Sequence, residues 1–316
     1  MGTFRFKKFN VVNERSAMKV NTDGVLLGAS MTITGHDRRL LDIGTGTGTI
    51  ALMAAQRLLE TPGQAGSDVR LAGNDGLAGS DVRSAGSDGL QAGNDWTPNG
   101  SASLREQLER TLIRRADCNR EQQLLPEVVS EGNDVMIDAI DIDEPSASEA
   151  AANFRNSPWA ESLTAYNMSL DEFAEELNLK GAETGYDLIF SNPPYFEDSL
   201  TAPDERKSAA RHTSDGLSYR DIFDFATTRL TENGRVALVL PADQEQAVCR
   251  YARMSGLHLS RILRIRTVPR KAPSRMIVEF SRHRTSQPED TMLTIQSEGQ
   301  YTHEYLSLTK DFYLFA

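Results

Sequence analysis

The run Ser191-Asn192-Pro193-Pro194-Tyr195-Phe196-Glu197-Asp198 follows directly on the apolar stretch Tyr186–Phe190. A buried strand ordinarily hands over to Gly, Asp or Ser in a turn. Here it hands over to an amide, two prolines of fixed φ and a flat ring. These groups suit the holding of a planar amine. The lone pair of an exocyclic nitrogen is delocalised into its ring, and accepting hydrogen bonds from both amine hydrogens draws the nitrogen toward a tetrahedral, nucleophilic geometry. Asn192 supplies one acceptor and the Pro193 carbonyl the other, held by the stiff Pro193-Pro194 backbone. Tyr195 stacks on the plane of the substrate. Such a site acts by positioning and electrostatics and needs no strong base. Taken alone, the same residues also fit a Pro-rich loop with an Asn turn.

A second candidate is Asp42-Ile43-Gly44-Thr45-Gly46-Thr47-Gly48. Glycines at the end of a strand permit a tight turn and close approach of a ligand to the following helix N-terminus. The spacing G-x-G-x-G lacks the two-residue gap of the dinucleotide fingerprint. An Asp before the glycines is out of place beside a pyrophosphate, since two anions repel. A cofactor with a sulfonium and an amino-acid moiety fits Asp42 better, which points to S-adenosylmethionine. A purely structural turn, or a nicotinamide or flavin site, are the other readings.

Asp141, at the end of the run Val135–Ile140, can accept both hydroxyls of a ribose, while Asp143 suits the N-cap of the next helix. Asn167 lies where an amide reaches an adenine edge. In Met18–Gly28, Lys19, Thr22 and Asp23 are placed on the cofactor side, Asp23 against its ammonium. The structural alternative is that Thr22 or Asp23 caps a helix starting at Gly24.

These residues need elements to hold them. Strands are predicted at 39–43, 135–140, 163–166, 186–190, 234–240, 260–268 and 277–280. Helices are predicted at 49–59, 146–156, 170–179, 221–230 and 244–254. Alternation of this kind predicts a mostly parallel α/β sheet covered on both faces. The last two strands have no helix between them and are expected as an antiparallel pair at one edge. By analogy, seven such strands with a terminal hairpin resemble the Rossmann-like arrangement of class I methyltransferases.

The repeat Ala-Gly-(Ser/Asn)-Asp starts at residues 65, 72, 78, 85 and 92. Small polar repeats bury too little apolar surface to offset chain entropy. With the charged stretch 104–125, expected as a surface helix, they predict a disordered insertion over about 60–134 of a single domain spanning 1–316.

The 316 residues carry a net charge of −11, which at first argues against a nucleic-acid partner. The distribution argues otherwise. Ten Lys/Arg against one acid, Glu279, lie between Arg250 and Arg284, and Phe4–Phe9 interleaves basic and aromatic residues. Basic segments of this kind favour a phosphate-rich substrate, or else form a solvated face. Cys118 and Cys249 fit no metal or redox spacing. No apolar run is long enough for a membrane span, and no secretory signal stands at the N-terminus. The expectation is a cytoplasmic protein with no metal, membrane or obligate protein partner.

Taken together, Phe4-Arg5-Phe6-Lys7, the segment Met18–Gly28, DIGTGTG, Asp141, Asn192-Pro193-Pro194-Tyr195, and the tail residues Tyr301–Tyr305 and Lys310–Tyr313 resemble the bacterial tRNA1(Val) adenine-37 N6-methyltransferase family. The resemblance covers nearly all the chain except 60–134. It implies S-adenosylmethionine as donor and the adenine beside the anticodon of a valine tRNA as acceptor. It places Gly44, Gly46, Gly48 and Asp141 against cofactor and Asn192–Tyr195 around the target amine. Arg211, Arg270, Lys271 and Arg275 are assigned to the tRNA, whose phosphates reward such side chains. Other N-methyltransferases with this motif, acting on rRNA guanine N2 or protein glutamine, are alternatives. So is a non-catalytic RNA-binding module.

Overall fold

The computed structural model describes residues 2–60, 135–179, 181, 185–194 and 216–316, all within one compact unit formed by Met1–Ala65 and Asn133–Ala316. The 60–134 insertion, apart from Glu60, lies outside the described residues, as do Tyr195 and Arg211.

The chain opens with a short antiparallel pair, β1 (Thr3–Arg5) and β2 (Asn10–Val12). Helix α1 (Thr22–Ser30) follows. Alternation begins with β3 (Arg39–Ile43) and α2 (Thr49–Leu59). It continues with β4 (Met136–Asp141), α3 (Glu144–Arg155), β5 (Leu163–Asn167) and α4 (Leu170–Leu179). Then come β6 (Tyr186–Ser191), α5 (Tyr219–Arg229), β7 (Leu230–Pro241) and α6 (Glu245–Met254). Strands β8 (His258–Arg266), β9 (Arg275–Ser281) and β10 (Glu289–Thr294) complete the large sheet. A small hairpin, β11 (Gln296–Ser297) and β12 (Gln300–Tyr301), leads into α7 (His303–Thr309).

The large sheet has the order β10-β8-β9-β7-β6-β3-β4-β5. Leu40, Leu41 and Ile43 of β3 and Leu188, Ile189 and Phe190 of β6 are all buried, as expected of parallel strands covered on both faces. Strands β4, β5, β6 and β7 run parallel with β3. The α/β class is thus the expected one, with a different edge. The antiparallel strand β9 lies between β7 and β8 rather than at the margin. An eighth strand, β10, pairs parallel with β8 and forms the margin. Four of its six residues are exposed, so it lacks the apolar alternation that marks a strand in sequence.

Strand order reverses between β3 and β6. Connections leave in opposite directions there, opening a crevice above the carboxyl ends of the strands. Among the described residues no helix is long and apolar enough to cross a membrane.

Candidate active site

Three predicted motifs meet at this crevice. The glycine turn ends β3, Asp141 ends β4, and Asn192 follows β6. Paired strands bring their ends together: Asp42 lies opposite Phe190 on β6 and Ala139 on β4. The Ser191 hydroxyl, fully buried, donates to the Ile43 carbonyl at 2.6 Å and fixes the end of β6 against the glycine turn.

The turn itself is held from β4. The N–H groups of Gly44 and Thr45 both donate to the Ile140 carbonyl, at 2.9 and 3.0 Å. Gly44, Gly46 and Gly48 have φ of +70°, +58° and +78°, the left-handed region that disfavours any Cβ. Gly48 is further constrained by space. A Cβ there would sit 2.5 Å from a Phe154 ring carbon of α3.

Asp141 receives the Gly46 N–H on Oδ2 at 2.8 Å and the Asp143 N–H on Oδ1 at 2.9 Å. Burial raises its carboxyl above the usual range, and these two donors partly offset that. Each oxygen keeps a second lone pair for a ribose hydroxyl. Asp143 caps α3 through a bond from Ser146 N–H at 3.0 Å, as expected. Asn167 turns its amide NH2 to the carbonyls of Asp141 and Ile142, both at 3.0 Å, so Oδ1 is the atom it has for an adenine amine.

Asp42 sits deeper than the sequence suggested. It is fully buried beneath the turn, with Oδ2 accepting from the Thr45 hydroxyl at 2.7 Å and Oδ1 lacking a hydrogen-bond partner. Burial raises its carboxyl to about 7, the Thr45 hydroxyl opposes this, and the Asp141 charge adds to it. Asp42 braces the turn from below.

Met18, Lys19, Val20 and Asn21 line the cleft with Gly44, Gly46, Thr47 and Asn192. Asn192 is buried, and its Nδ2 lies 3.6 Å from Met18 Sδ. Pro193 is buried and Pro194 exposed. Leu217, absent from the sequence reading, packs 3.4 Å from where a Gly44 Cβ would stand. The cap of α1 is Asn21, which accepts from Gly24 N–H at 2.8 Å; Thr22 and Asp23 are the first helical residues instead. The Asp23 carboxylate has a partner within the protein. Asp23 Oδ2 pairs with Arg275 Nε at 2.9 Å.

That pairing is part of a wider correction to the basic run. Arg261 binds Glu279 and Glu289, Arg264 binds Glu245 and Asp290, and Arg282 donates to carbonyls at the end of α5. These four of the ten basic residues are therefore internal bracing. Arg270 and Lys271 are exposed on the β8–β9 loop. Strand β8 runs in the same direction as β6, so this loop lies on the carboxyl edge with Asn192. Three strand spacings separate β6 from β8, roughly 14 Å.

S-adenosylmethionine fits these residues. Gly24, Gly44 and Gly46, without Cβ, line a cleft beside Asn192, and the Asp141 carboxylate has lone pairs left for a diol. Among the described residues no cluster of His, Cys, Asp or Glu could hold a metal ion.

No protein-family model matches the chain. In fold it is similar to the crystal structure of a predicted O-methyltransferase, protein Atu636 from Agrobacterium tumefaciens. That likeness has a TM-score of 0.52 and 12% identity and covers 92% of this chain and 96% of that one. In sequence it is 33% identical to the tRNA1(Val) (adenine(37)-N6)-methyltransferase of Parabacteroides distasonis, over 98% of this chain and 97% of the relative. The enzymes of the same name from Flavobacterium psychrophilum and Trichodesmium erythraeum are 30% and 29% identical, each over 98% of this chain and 99% and 97% of their own lengths. The chain belongs to the tRNA1(Val) (adenine(37)-N6)-methyltransferase family.

Proposed function

We propose that this protein methylates N6 of the adenine at position 37, beside the anticodon, of tRNA1(Val), with S-adenosylmethionine as donor. The observation that carries the reading is the placement of Asn192-Pro193 at the end of β6, locked by Ser191 to the glycine turn across the switch point. The cofactor supplies an electrophilic methyl group when bound. Gly44 and Gly46 give it room at the turn, Asp141 accepts the ribose hydroxyls, and Lys19 to Asn21 close the cleft from above. Asn192 Oδ1 and the Pro193 carbonyl accept the two N6 hydrogens, with Tyr195 stacked on the base. The amine loses its proton to water once it has become cationic, so no residue acts as a strong base.

A target base in a loop is splayed out more cheaply than one in a duplex. Arg270 and Lys271 on the carboxyl edge meet the phosphates of the anticodon arm; Arg211 is assigned there from the sequence. Arg275 contributes through its pairing with Asp23, bracing the rim. A protein that works on tRNA in this way is cytoplasmic, in keeping with the sequence reading, and the 1–316 chain acts as one methyltransferase domain carrying its insertion.

The test is mass mapping of tRNA nucleosides from cells with and without the protein. N6-methyladenosine at position 37 of the valine isoacceptor disappears with the gene if the reading holds. An unchanged nucleoside profile contradicts it.

A further inference from the structure

Helix α3 carries Ser146, Glu149 and Asn153 at spacings of three and four, hence on one face. All three are buried, and all three face the N-terminal segment. The Asn153 amide accepts the Val12 N–H at 2.8 Å, donates to the Val12 carbonyl at 3.0 Å, and donates to the Thr47 carbonyl of the glycine turn at 2.9 Å. Glu149 takes three consecutive backbone N–H groups. Oε1 accepts from Glu14 at 2.6 Å and Arg15 at 3.2 Å, and Oε2 from Arg15 at 3.0 Å and Ser16 at 2.6 Å. Burial by itself would raise its carboxyl, and these donors hold it below the usual carboxylate range. The Ser146 hydroxyl reaches the Ser16 hydroxyl at 3.0 Å, and Ser16 in turn donates to the Met18 carbonyl at 3.0 Å.

The anchored segment then crosses the glycine turn. A Cβ on Gly46 would stand 3.5 Å from both the Met18 carbonyl oxygen and Ser16 Oγ. Directly beyond the anchor, Met18 to Asn21 form the outer wall of the cofactor cleft. We propose that Glu149 is a positioning residue for cofactor binding: by gathering the N–H groups of Glu14, Arg15 and Ser16 on one buried carboxylate, it sets the height of the Met18–Asn21 wall above the glycine turn. Residues 14–21 are thus a strap whose order and the cofactor's affinity are coupled, each favouring the other. This rests on the cleft being the S-adenosylmethionine site and is independent of which base is methylated.

Glu149→Gln keeps the shape of the side chain and replaces one of the two accepting oxygens with an NH2 that faces backbone donors. Calorimetry with S-adenosylhomocysteine should show the Kd rising about tenfold, or about 1.4 kcal/mol. At saturating S-adenosylmethionine, kcat should stay within about twofold, because the Asn192 clamp is untouched. Glu149→Asp, which retains the carboxylate, should recover part of the affinity. A wild-type measurement needs no variant: hydrogen exchange at the amides of residues 14–16 should slow when S-adenosylhomocysteine binds. An unchanged Kd in Glu149→Gln overturns the proposal, as does a loss of kcat in step with thermal stability. So does exchange at 14–16 that ignores the ligand. Failure of the wild-type protein to methylate tRNA while it binds S-adenosylhomocysteine would instead count against the assignment of the methyl acceptor.

Discussion

Asp42 makes a quantitative prediction. Burial pushes its carboxyl up to about 7 in the folded chain from an ordinary value of 3.8, with one hydroxyl donor on Oδ2 and none on Oδ1. Between these two values the folded state binds more protons than the unfolded state, so stability falls as pH rises through that window and levels off above it. With 1.36 kcal/mol per unit, the burial of Asp42 costs about 2 kcal/mol at pH 5.5, where folding requires it to take up a proton, and about 4 kcal/mol at pH 8.5, where it is buried ionised. Asp42→Asn removes the titration and keeps an acceptor for the Thr45 hydroxyl. Its amide NH2 has no ready partner, but that cost does not vary with pH. The stability difference between variant and wild type, read from urea unfolding at the two pH values, should therefore shift by about 2 kcal/mol in favour of the variant at pH 8.5. A difference that stays constant would refute the assignment of a raised carboxyl to this position.

Asn192→Ala should lower methyl transfer by orders of magnitude while S-adenosylhomocysteine affinity, by calorimetry, hardly changes; undiminished turnover would remove Asn192 from the clamp. Gly48→Ala should destabilise more than Gly46→Ala. The first forces a Cβ into the Phe154 ring as well as a left-handed φ, roughly 2–4 kcal/mol; the second faces the φ cost alone, about 1–2 kcal/mol. Thermal or urea denaturation decides between them. Reversing Arg270 and Lys271 to Glu should weaken tRNA binding and reduce the slope of log K against log salt by about 1–2, whereas Arg275→Glu should also disturb the rim by breaking its pair with Asp23.

The motifs at strand ends were legible because parallel strands advertise themselves. Arg39–Ile43 and Thr49–Leu59 read as a buried strand and the helix after the glycine turn, and the structure keeps those bounds. Once their order is known, the carboxyl ends of β3, β4 and β6 must converge, so Gly44, Gly46, Asp141 and Asn192 come together without further information. What stayed hidden depends on partners distant in sequence. Glu149 and Asn153 look like the polar face of a solvated helix, yet their partners lie more than a hundred residues earlier. The only local signal was their shared helical face with Ser146. The basic run misled for the same reason, since Glu245, Glu289 and Asp23 that neutralise it arrive from other elements. Ser191 was quoted with its motif, but its role needed the Ile43 carbonyl beside it.

The most direct test of the account uses purified protein, S-adenosylmethionine and a transcript of tRNA1(Val), with nucleosides resolved by mass spectrometry. One N6-methyladenosine per transcript, mapped to position 37 and absent when that adenine is replaced by guanine, is the result the account predicts. Methylation that persists on the guanine transcript, or that falls on another nucleotide or on protein, would contradict it.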